Sequence, residues 1–103
     1  MKEVILVLDK KFFEKIESWF KGNQYVTRKD VLKMTARSSY YSIYKPRILE
    51  LNKILKEATG QEFISFEQRR DPVTGEMVQV LKRDISIKLK QTHFSTTLIV
   101  ISH

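Results

Sequence analysis

Positively charged side chains are concentrated in one stretch of this 103-residue chain, where they are suited to binding a polyanion. Residues 26–56 contain only two acidic residues against eight basic ones: Arg28, Lys29, Lys33, Arg37, Lys45, Arg47, Lys53 and Lys56. The formal net charge of the whole chain is +7, so almost all of the excess lies in this stretch. Such a localised excess favours a nucleic-acid partner over a general gain in solubility.

Tyrosine and serine side chains are interleaved with these cations at Ser39, Tyr40, Tyr41, Ser42 and Tyr44. A tyrosine nucleophile that acts on nucleic acid would need clustered histidines to hold a metal ion. The chain has only two histidines, His93 and His103, so we discount this chemistry. At helical spacing Tyr40 and Tyr44 fall on the core side, which leaves Tyr41 as the tyrosine that is free for contacts.

Signatures of catalysis are missing from the sequence. It contains no glycine-rich phosphate loop, no nucleophile paired with a base, no cluster of metal-ligand residues and no cysteine. We therefore predict that the protein is not an enzyme and that it has no catalytic residues, no metal site and no cofactor. The sequence also gives no reason to infer a small-molecule ligand.

The length predicts a single domain over residues 1–103. Its two apolar runs, residues 4–8 and 98–101, are much shorter than the roughly 20 residues that a membrane helix needs. We expect no membrane span, no signal peptide and a cytoplasmic location.

Apolar spacing predicts three helices. The first covers residues 10–21 and buries an aromatic face, and Gly22 is placed to end it. The second, about residues 28–36, opens with a capping pattern from Thr27 to Asp30 and buries Val31 and Leu32. Arg37-Ser38-Ser39 is expected to end the second helix. Either serine is expected to cap the third helix, about residues 39–58.

The third helix is expected to bury one arc of its surface and to be distorted by a proline. Because proline lacks an N–H, Pro46 predicts a kink or a break near Tyr44 and Lys45. The outer side is expected to include Lys45, Asn52 and Lys53. The expected core residues are Tyr40, Ile43, Tyr44, Ile48, Leu51, Ile54, Leu55 and Ala58.

Period-two alternation after Gly60 predicts a long β-hairpin over residues 62–89, with a turn at residues 71–76. The apolar parity changes along its second strand, which predicts a bulge or a twist near residues 81–84. Further strands are expected at the two ends of the chain. Residues 4–8 and 97–101 are apolar enough to pair with each other or across the two-fold axis of a homodimer, and we favour pairing within one chain.

This order of elements resembles the α+β winged-helix fold: three helices and a β-hairpin wing, with extra N- and C-terminal strands. Residues 28–58 are similar to a helix-turn-helix, in which Leu32, Ala36 and Ile43 occupy the positions that are usually buried. Arg37 stands where many such proteins have glycine, and Pro46 is unusual in a recognition helix. The resemblance lies in element order and indicates no particular family.

The resemblance implies a sequence-specific binder of double-stranded DNA, such as a transcriptional regulator or the DNA-binding module of a replication or mobile-element system. The third helix would enter the major groove and the wing would lie along the backbone. In this sequence Ser39, Tyr41, Ser42 and Lys45 would face DNA, and Arg37 and Arg47 would reach phosphates. The wing would contribute Arg69 and Arg70, with Lys82 and Arg83 as further donors.

Two other functions stay open at this point. A winged-helix module can bind an acidic protein partner instead of DNA, since fold does not fix function. An RNA- or single-strand-binding α+β domain would use strand aromatics such as Phe63 and Phe66 to stack on bases, although core packing is the expected role of both.

Overall fold

The computed structural model describes residues 3–83, 87–91 and 96–102, with side-chain positions for residues 11–83. Within these ranges three helical segments are present. They are α1 (Lys10–Phe20), α2 (Arg28–Met34) and a continuous third helix over residues 37–59. The third helix consists of α3 (Arg37–Ser39), a π-helical turn (Tyr40–Tyr44) and α4 (Lys45–Thr59). No helix in the described residues is both long enough and apolar enough to span a bilayer.

The described strands form two antiparallel sheets of three strands each. The central sheet has β2 (Tyr25–Thr27) and β3 (Ile64–Arg70) on either side of β4 (Met77–Arg83). The terminal sheet has β1 (Glu3–Asp9) and β5 (Ile87–Gln91) on either side of β6 (Thr96–Ser102). The fold is therefore α+β, as expected.

The core lies between α1, the third helix and the central sheet. Phe13, Ile16, Trp19 and Phe20 of α1 are all buried, which confirms the predicted aromatic face. They pack with Tyr40, Ile48 and Leu55 of the third helix and with Phe63, Ile64 and Leu81 of the hairpin region.

The two ends of the chain pair with each other. Strands β1 and β6 run antiparallel in a register that joins Glu3 to Ser102 and Asp9 to Thr96. This confirms the predicted pairing of the terminal strands within one chain.

The prediction of one continuous strand over residues 77–89 is wrong. Strand β4 ends at Arg83 in the central sheet, whereas β5 begins at Ile87 in the terminal sheet, and residues 84–86 lie outside the described ranges. The hairpin is accordingly β3 and β4 alone, residues 64–83. The apolar parity of the sequence changes where the chain passes from one sheet to the other. The predicted bulge or twist near residues 81–84 extends to residue 84, which lies outside the described ranges.

The third helix begins earlier than predicted and has no serine cap. Its N-cap residue is Ala36, which makes no side-chain cap hydrogen bond, and Arg37 is already helical. The expected break at residues 37–39 is therefore wrong. The backbone N–H of Tyr40 donates to the carbonyl of Ala36 over 3.0 Å, so helical bonding starts directly after the two-residue link from α2.

The expected distortion at Pro46 takes the form of a π turn. The N–H of Lys45 donates to the carbonyl of Tyr40, five residues back, and Pro46 follows in the first turn of α4. Proline has no N–H to continue the α-helical ladder and its ring crowds the preceding turn, so the wide turn accommodates it.

The π turn also changes which side chains of the third helix are buried. Ile43 and Ile54, predicted to be core residues, are 50% and 43% exposed, whereas Asn52, predicted to face outward, is only 6% exposed. A turn with one extra residue shifts the buried arc of the helix without replacing it: Ile48, Leu51 and Leu55 are buried as predicted, whereas Asn52, at one edge of the arc, enters the core. Ala36, another predicted core position, is exposed because it caps the helix.

Candidate nucleic-acid interface

Tyr41 is the centre of a group of basic and aromatic side chains at the start of the third helix. Tyr41 is 39% exposed, and its ring centroid lies 5.7 Å from the Cζ atom of Arg28 and 5.7 Å from the Nζ atom of Lys45. It is also in edge contact with the buried ring of Tyr40, with centroids 5.1 Å apart. A cation at this distance from an aromatic ring is weakly stabilised by the ring. Unlike a cation in an ion pair, its charge is not neutralised by a carboxylate.

Two local features position this group. The Oγ1 atom of Thr27, the last residue of β2, accepts the N–H of Asp30 over 3.1 Å and caps α2, as the sequence predicted. This cap fixes Arg28 at the first position of α2, beside Tyr41. The Nζ atom of Lys45 also lies 5.9 Å from the ring of Phe66 on β3, so one lysine joins the third helix to the hairpin.

Arg47 lies on the other side of the third helix from Lys45. Two positions along a helix differ by about 200°, and the Cζ atom of Arg47 is 4.1 Å from the ring centroid of Phe12 on α1. Phe12 in turn stacks on Tyr44 at 6.0 Å. The structure thus places Lys45, which was expected to face DNA, and Arg47, which was expected to reach phosphates, on opposite flanks of the helix.

The remaining predicted positions on the third helix differ in their availability. Arg37 and Ser42 are exposed, and Ser39 is half-buried. The hydroxyl of Ser42 donates to the carbonyl of Ser38 over 2.5 Å, so it is occupied as a donor and keeps only its acceptor capacity.

The two arginines of the hairpin point to opposite faces of the central sheet, because neighbouring residues on a strand alternate. Arg69 lies across the sheet: its Cζ atom is 4.0 Å from the ring centroid of Tyr25, and its guanidinium bonds to the Tyr25 hydroxyl over 2.8 Å and to Glu67 over 3.2 Å. Arg70 donates to the carbonyl of Gly75 over 2.7 Å and braces the hairpin turn. They do not form one patch on the wing.

The further donors Lys82 and Arg83 are at the end of the hairpin away from its turn. Arg83 forms an ion pair with Glu17 of α1 and lies 5.7 Å from the ring of Phe20. Lys82 is half-buried and pairs with Tyr25 of β2 in the sheet register. Both residues belong to the hairpin, but they lie at its base, where β4 pairs with β2 and with the first residues of β3.

The cations of the basic stretch and those of the hairpin differ in whether they form ion pairs. Within residues 11–83, Lys56 is the one cation of the basic stretch that approaches a carboxylate, Glu62 at 3.7 Å. The other seven form no ion pair with the described residues: Arg28, Lys29, Lys33, Arg37, Lys45, Arg47 and Lys53. Arg69 and Arg83 of the hairpin, by contrast, are each paired with a glutamate. Within residues 11–83, most of the cations that form no ion pair therefore belong to α2 and the third helix.

A buried aromatic pair supports this surface from below. Trp19 and Tyr40 are in edge contact at 6.1 Å, and neither the indole Nε1 nor the Tyr40 hydroxyl has a hydrogen-bond partner in the described part of the chain. Burial raises the pKa of Tyr40 above its ordinary value of 10.0; the charge of Tyr41 adds to the effect and Arg28 opposes it. Tyr40 therefore serves packing, as its helical position predicted.

Sequence reasoning missed Arg28 and Asn52. Arg28 was counted in the basic stretch but not assigned to the site; its position directly after a helix cap was the signal. Asn52 is buried, and its side chain makes three hydrogen bonds: Nδ2 donates to the Ile64 carbonyl over 2.8 Å, and Oδ1 accepts the N–H groups of Phe63 and Ile64 over 2.9 and 3.1 Å. Nothing in its sequence neighbourhood marks it as buried.

Other chemistries find little support in the described residues. They contain no group of three or more His, Cys, Asp or Glu side chains able to hold a metal ion, and His93 and His103 lie outside the described ranges. Phe63 is buried and Phe66 packs against the core, so their expected core role is confirmed.

Comparison with protein-family models, with curated proteins and with solved structures finds no match to this chain.

Proposed function

We propose that this protein is a winged-helix protein that binds double-stranded DNA. The proposal rests above all on the seven cations around α2 and the third helix that form no ion pair with the described residues. Unpaired lysine and arginine side chains gathered on neighbouring helices are what a phosphate backbone neutralises, with release of its counterions. The winged-helix assignment is supported by the order helix, strand, helix, helix, hairpin and by the pairing of β2 with β4 in the central sheet.

In the proposed complex the third helix inserts its first turns into the major groove. Arg37, Tyr41, Ser42 and Lys45 reach DNA from this helix, with Arg28 beside them on α2, and Arg47 reaches the phosphates on the α1 flank. Arg70 is the better placed of the two hairpin arginines, because Arg69 is already neutralised by Glu67. The protein would act as a transcriptional regulator or a replication module in the cytoplasm, and a palindromic site would require a homodimer.

Fluorescence anisotropy tests the proposal, with a mixed-sequence duplex titrated at four salt concentrations. We expect the slope of log K against log salt to be steep, and to fall by about 0.9 when Lys45→Gln removes one phosphate contact. Lys15→Gln on the exposed face of α1, outside the basic stretch, is the matched control and should leave the slope unchanged. Equal slopes for wild type and Lys45→Gln, with both proteins folded, would refute the assignment of the interface.

The same titration with single-stranded DNA and RNA separates the proposal from a single-strand binder. Tighter binding to either single strand than to the duplex would contradict insertion into a groove. Phe66→Leu, which removes an aromatic ring and keeps an apolar side chain, should leave duplex affinity within about twofold, since Phe66 packs on the core and contacts Lys45 only at 5.9 Å.

A second candidate function, docking of an acidic protein partner, is favoured by one observation. The third helix exposes Ile43, Leu49 and Ile54, at 50%, 48% and 43% of their surfaces. Apolar side chains beside unpaired cations suit a partner that presents both acidic and apolar groups. Failure of duplex binding at low salt, together with retention of the fold, would favour this candidate.

A further inference from the structure

Two of the cations that form no ion pair within residues 11–83 share one aromatic ring. The Cζ atom of Arg28 and the Nζ atom of Lys45 each lie 5.7 Å from the ring centroid of Tyr41. Arg28 is the first residue of α2, whereas Lys45 belongs to the third helix, as Tyr41 does. The ring of Tyr41 therefore joins cations from two separate helices.

These two cations differ from the rest of the basic stretch in their burial. Arg28 and Lys45 are half-buried. The other six cations of residues 26–56 are exposed: Lys29, Lys33, Arg37, Arg47, Lys53 and Lys56. A long charged side chain that lies partly buried against a ring has fewer conformations open to it than one in solvent. Less conformational freedom is then lost when it binds a phosphate, which favours affinity.

Arg28 depends on the ring of Tyr41 more than Lys45 does. Lys45 has a second ring, that of Phe66 at 5.9 Å, whereas Tyr41 is the only ring that Arg28 approaches in the described part of the chain. The charge of Arg28 also acts on Tyr40, since it opposes the rise in the pKa of that buried hydroxyl. The guanidinium of Arg28 is therefore close to the start of the third helix, although the residue belongs to α2.

We infer that Tyr41 is a positioning residue of the proposed DNA interface, whose ring holds Arg28 and Lys45 so that both cations reach the phosphate backbone from one surface. This inference rests on the proposed function. In this role the ring limits the ordering that the two cations undergo on binding, and the hydroxyl contributes little. Direct contact between the Tyr41 hydroxyl and DNA is the competing role.

Two substitutions separate the ring from the hydroxyl. Tyr41→Phe removes the hydroxyl and keeps the ring, whereas Tyr41→Leu removes the ring and keeps an apolar side chain. Anisotropy titrations with a mixed-sequence duplex compare both variants with wild type at several salt concentrations, and circular dichroism verifies that each variant is folded. Phe66→Leu is the matched comparison, because it removes only the second ring of Lys45.

We expect Tyr41→Phe to bind the duplex within about twofold of wild type and Tyr41→Leu to bind about three- to fivefold more weakly, the range for loss of cation–ring contacts near a protein surface. Phe66→Leu should cost less than Tyr41→Leu, since Arg28 keeps its ring. The salt slope of Tyr41→Leu should equal that of wild type, because no charge is removed.

A double-mutant comparison separates positioning from a general structural role. In the background of Arg28→Gln, Tyr41→Leu should cost less than about twofold, because the cation that depends most on the ring is gone. Lys53→Gln removes an exposed cation of the same helix, and in its background the full loss should remain. A loss of packing at the third helix would instead cost the same in both backgrounds.

Equal losses for Tyr41→Phe and Tyr41→Leu would show that the hydroxyl contacts DNA, and would overturn the inference while leaving the proposed function in place. The same conclusion follows if Tyr41→Leu binds like wild type, or if its loss is equal in the two backgrounds. If Tyr41→Leu does not fold, Tyr41→Met replaces it, since methionine also lacks a ring and favours a helix. Failure of wild type to bind the duplex at low salt is a different result, which would refute the proposed function and this inference with it.

Discussion

Asn52 of the third helix holds both backbone polar groups of Ile64 with one side-chain amide, donating to its carbonyl over 2.8 Å and accepting its N–H over 3.1 Å. Ile64 is the first residue of β3, so this contact fixes the start of the hairpin against the third helix. The position of Phe66, and with it the contact between Phe66 and Lys45, follows from this anchor. A buried amide thus sets the geometry between the third helix and the hairpin.

We expect Asn52→Ala to lower the free energy of unfolding by about 2–4 kcal/mol, because it removes three hydrogen bonds and leaves buried backbone groups of residues 63 and 64 without that partner. Urea unfolding followed by Trp19 fluorescence measures the change. The neighbouring exposed Lys53→Ala is the control and should stay within about 0.5 kcal/mol. A loss below about 1 kcal/mol for Asn52→Ala would contradict the anchoring role.

Tyr40→Phe should make the protein less sensitive to alkaline pH. Burial raises the pKa of Tyr40 above 10.0 in the folded state, so the unfolded chain loses this proton first. The stability contributed by the neutral phenol is therefore complete below about pH 10 and is lost as the pH rises toward the folded pKa.

The measurement for Tyr40→Phe is urea unfolding at pH 7 and at pH 10.5. At pH 7 the variant should be as stable as wild type or more stable by up to about 1 kcal/mol, because the hydroxyl that it removes has no hydrogen-bond partner in residues 11–83. Between the two pH values it should lose less stability than wild type. Tyr25→Phe, which keeps Tyr40, serves as control and should retain the wild-type decline at high pH.

Gly60→Ala should destabilise the protein by about 1 kcal/mol. Gly60 ends the third helix in the left-handed region, with a φ of 83°, and its N–H donates to the Lys56 carbonyl over 2.9 Å. An added Cβ would meet no atom within 4 Å, so the cost is conformational and not steric crowding. Thermal unfolding measures it, and Gly60→Asn should cost less, since asparagine tolerates this conformation better. An alanine variant as stable as wild type would show that the helix ends elsewhere.

Arg37→Gln and Arg69→Gln should differ in their effect on duplex binding if the proposed interface is correct. Arg37 is exposed and forms no ion pair with the described residues, whereas Arg69 is held by Glu67 and Tyr25. We expect Arg37→Gln to reduce the salt slope by about 0.9 and Arg69→Gln to reduce it by less than half as much. Anisotropy titrations at several salt concentrations compare the two. A larger loss for Arg69→Gln would place the main phosphate contacts on the hairpin.

The sequence by itself determined the elements and the location of the charge. The aromatic spacing of residues 12–20 makes one helix face because apolar side chains at that spacing must be buried together. The cap at Thr27 was readable because it depends on a residue and its immediate neighbours. The concentration of cations in residues 26–56 is likewise a property of the chain alone.

Tertiary structure decided which of those residues share a surface. The π turn before Pro46 rotated Ile43 out of the core and Asn52 into it, and periodicity cannot show this because it assumes a constant angle per residue. The division of residues 77–91 between two sheets depended on strands that are distant in the chain, because β2 pairs with β4 and β1 pairs with β6, the partner of β5. The contacts of Arg69 with Tyr25 and of Arg83 with Glu17 depended on partners 44 and 66 residues away, which the fold brought within reach. Helix faces and helix caps depend on residues that are close in the sequence, whereas a shared surface exists only after distant segments have packed.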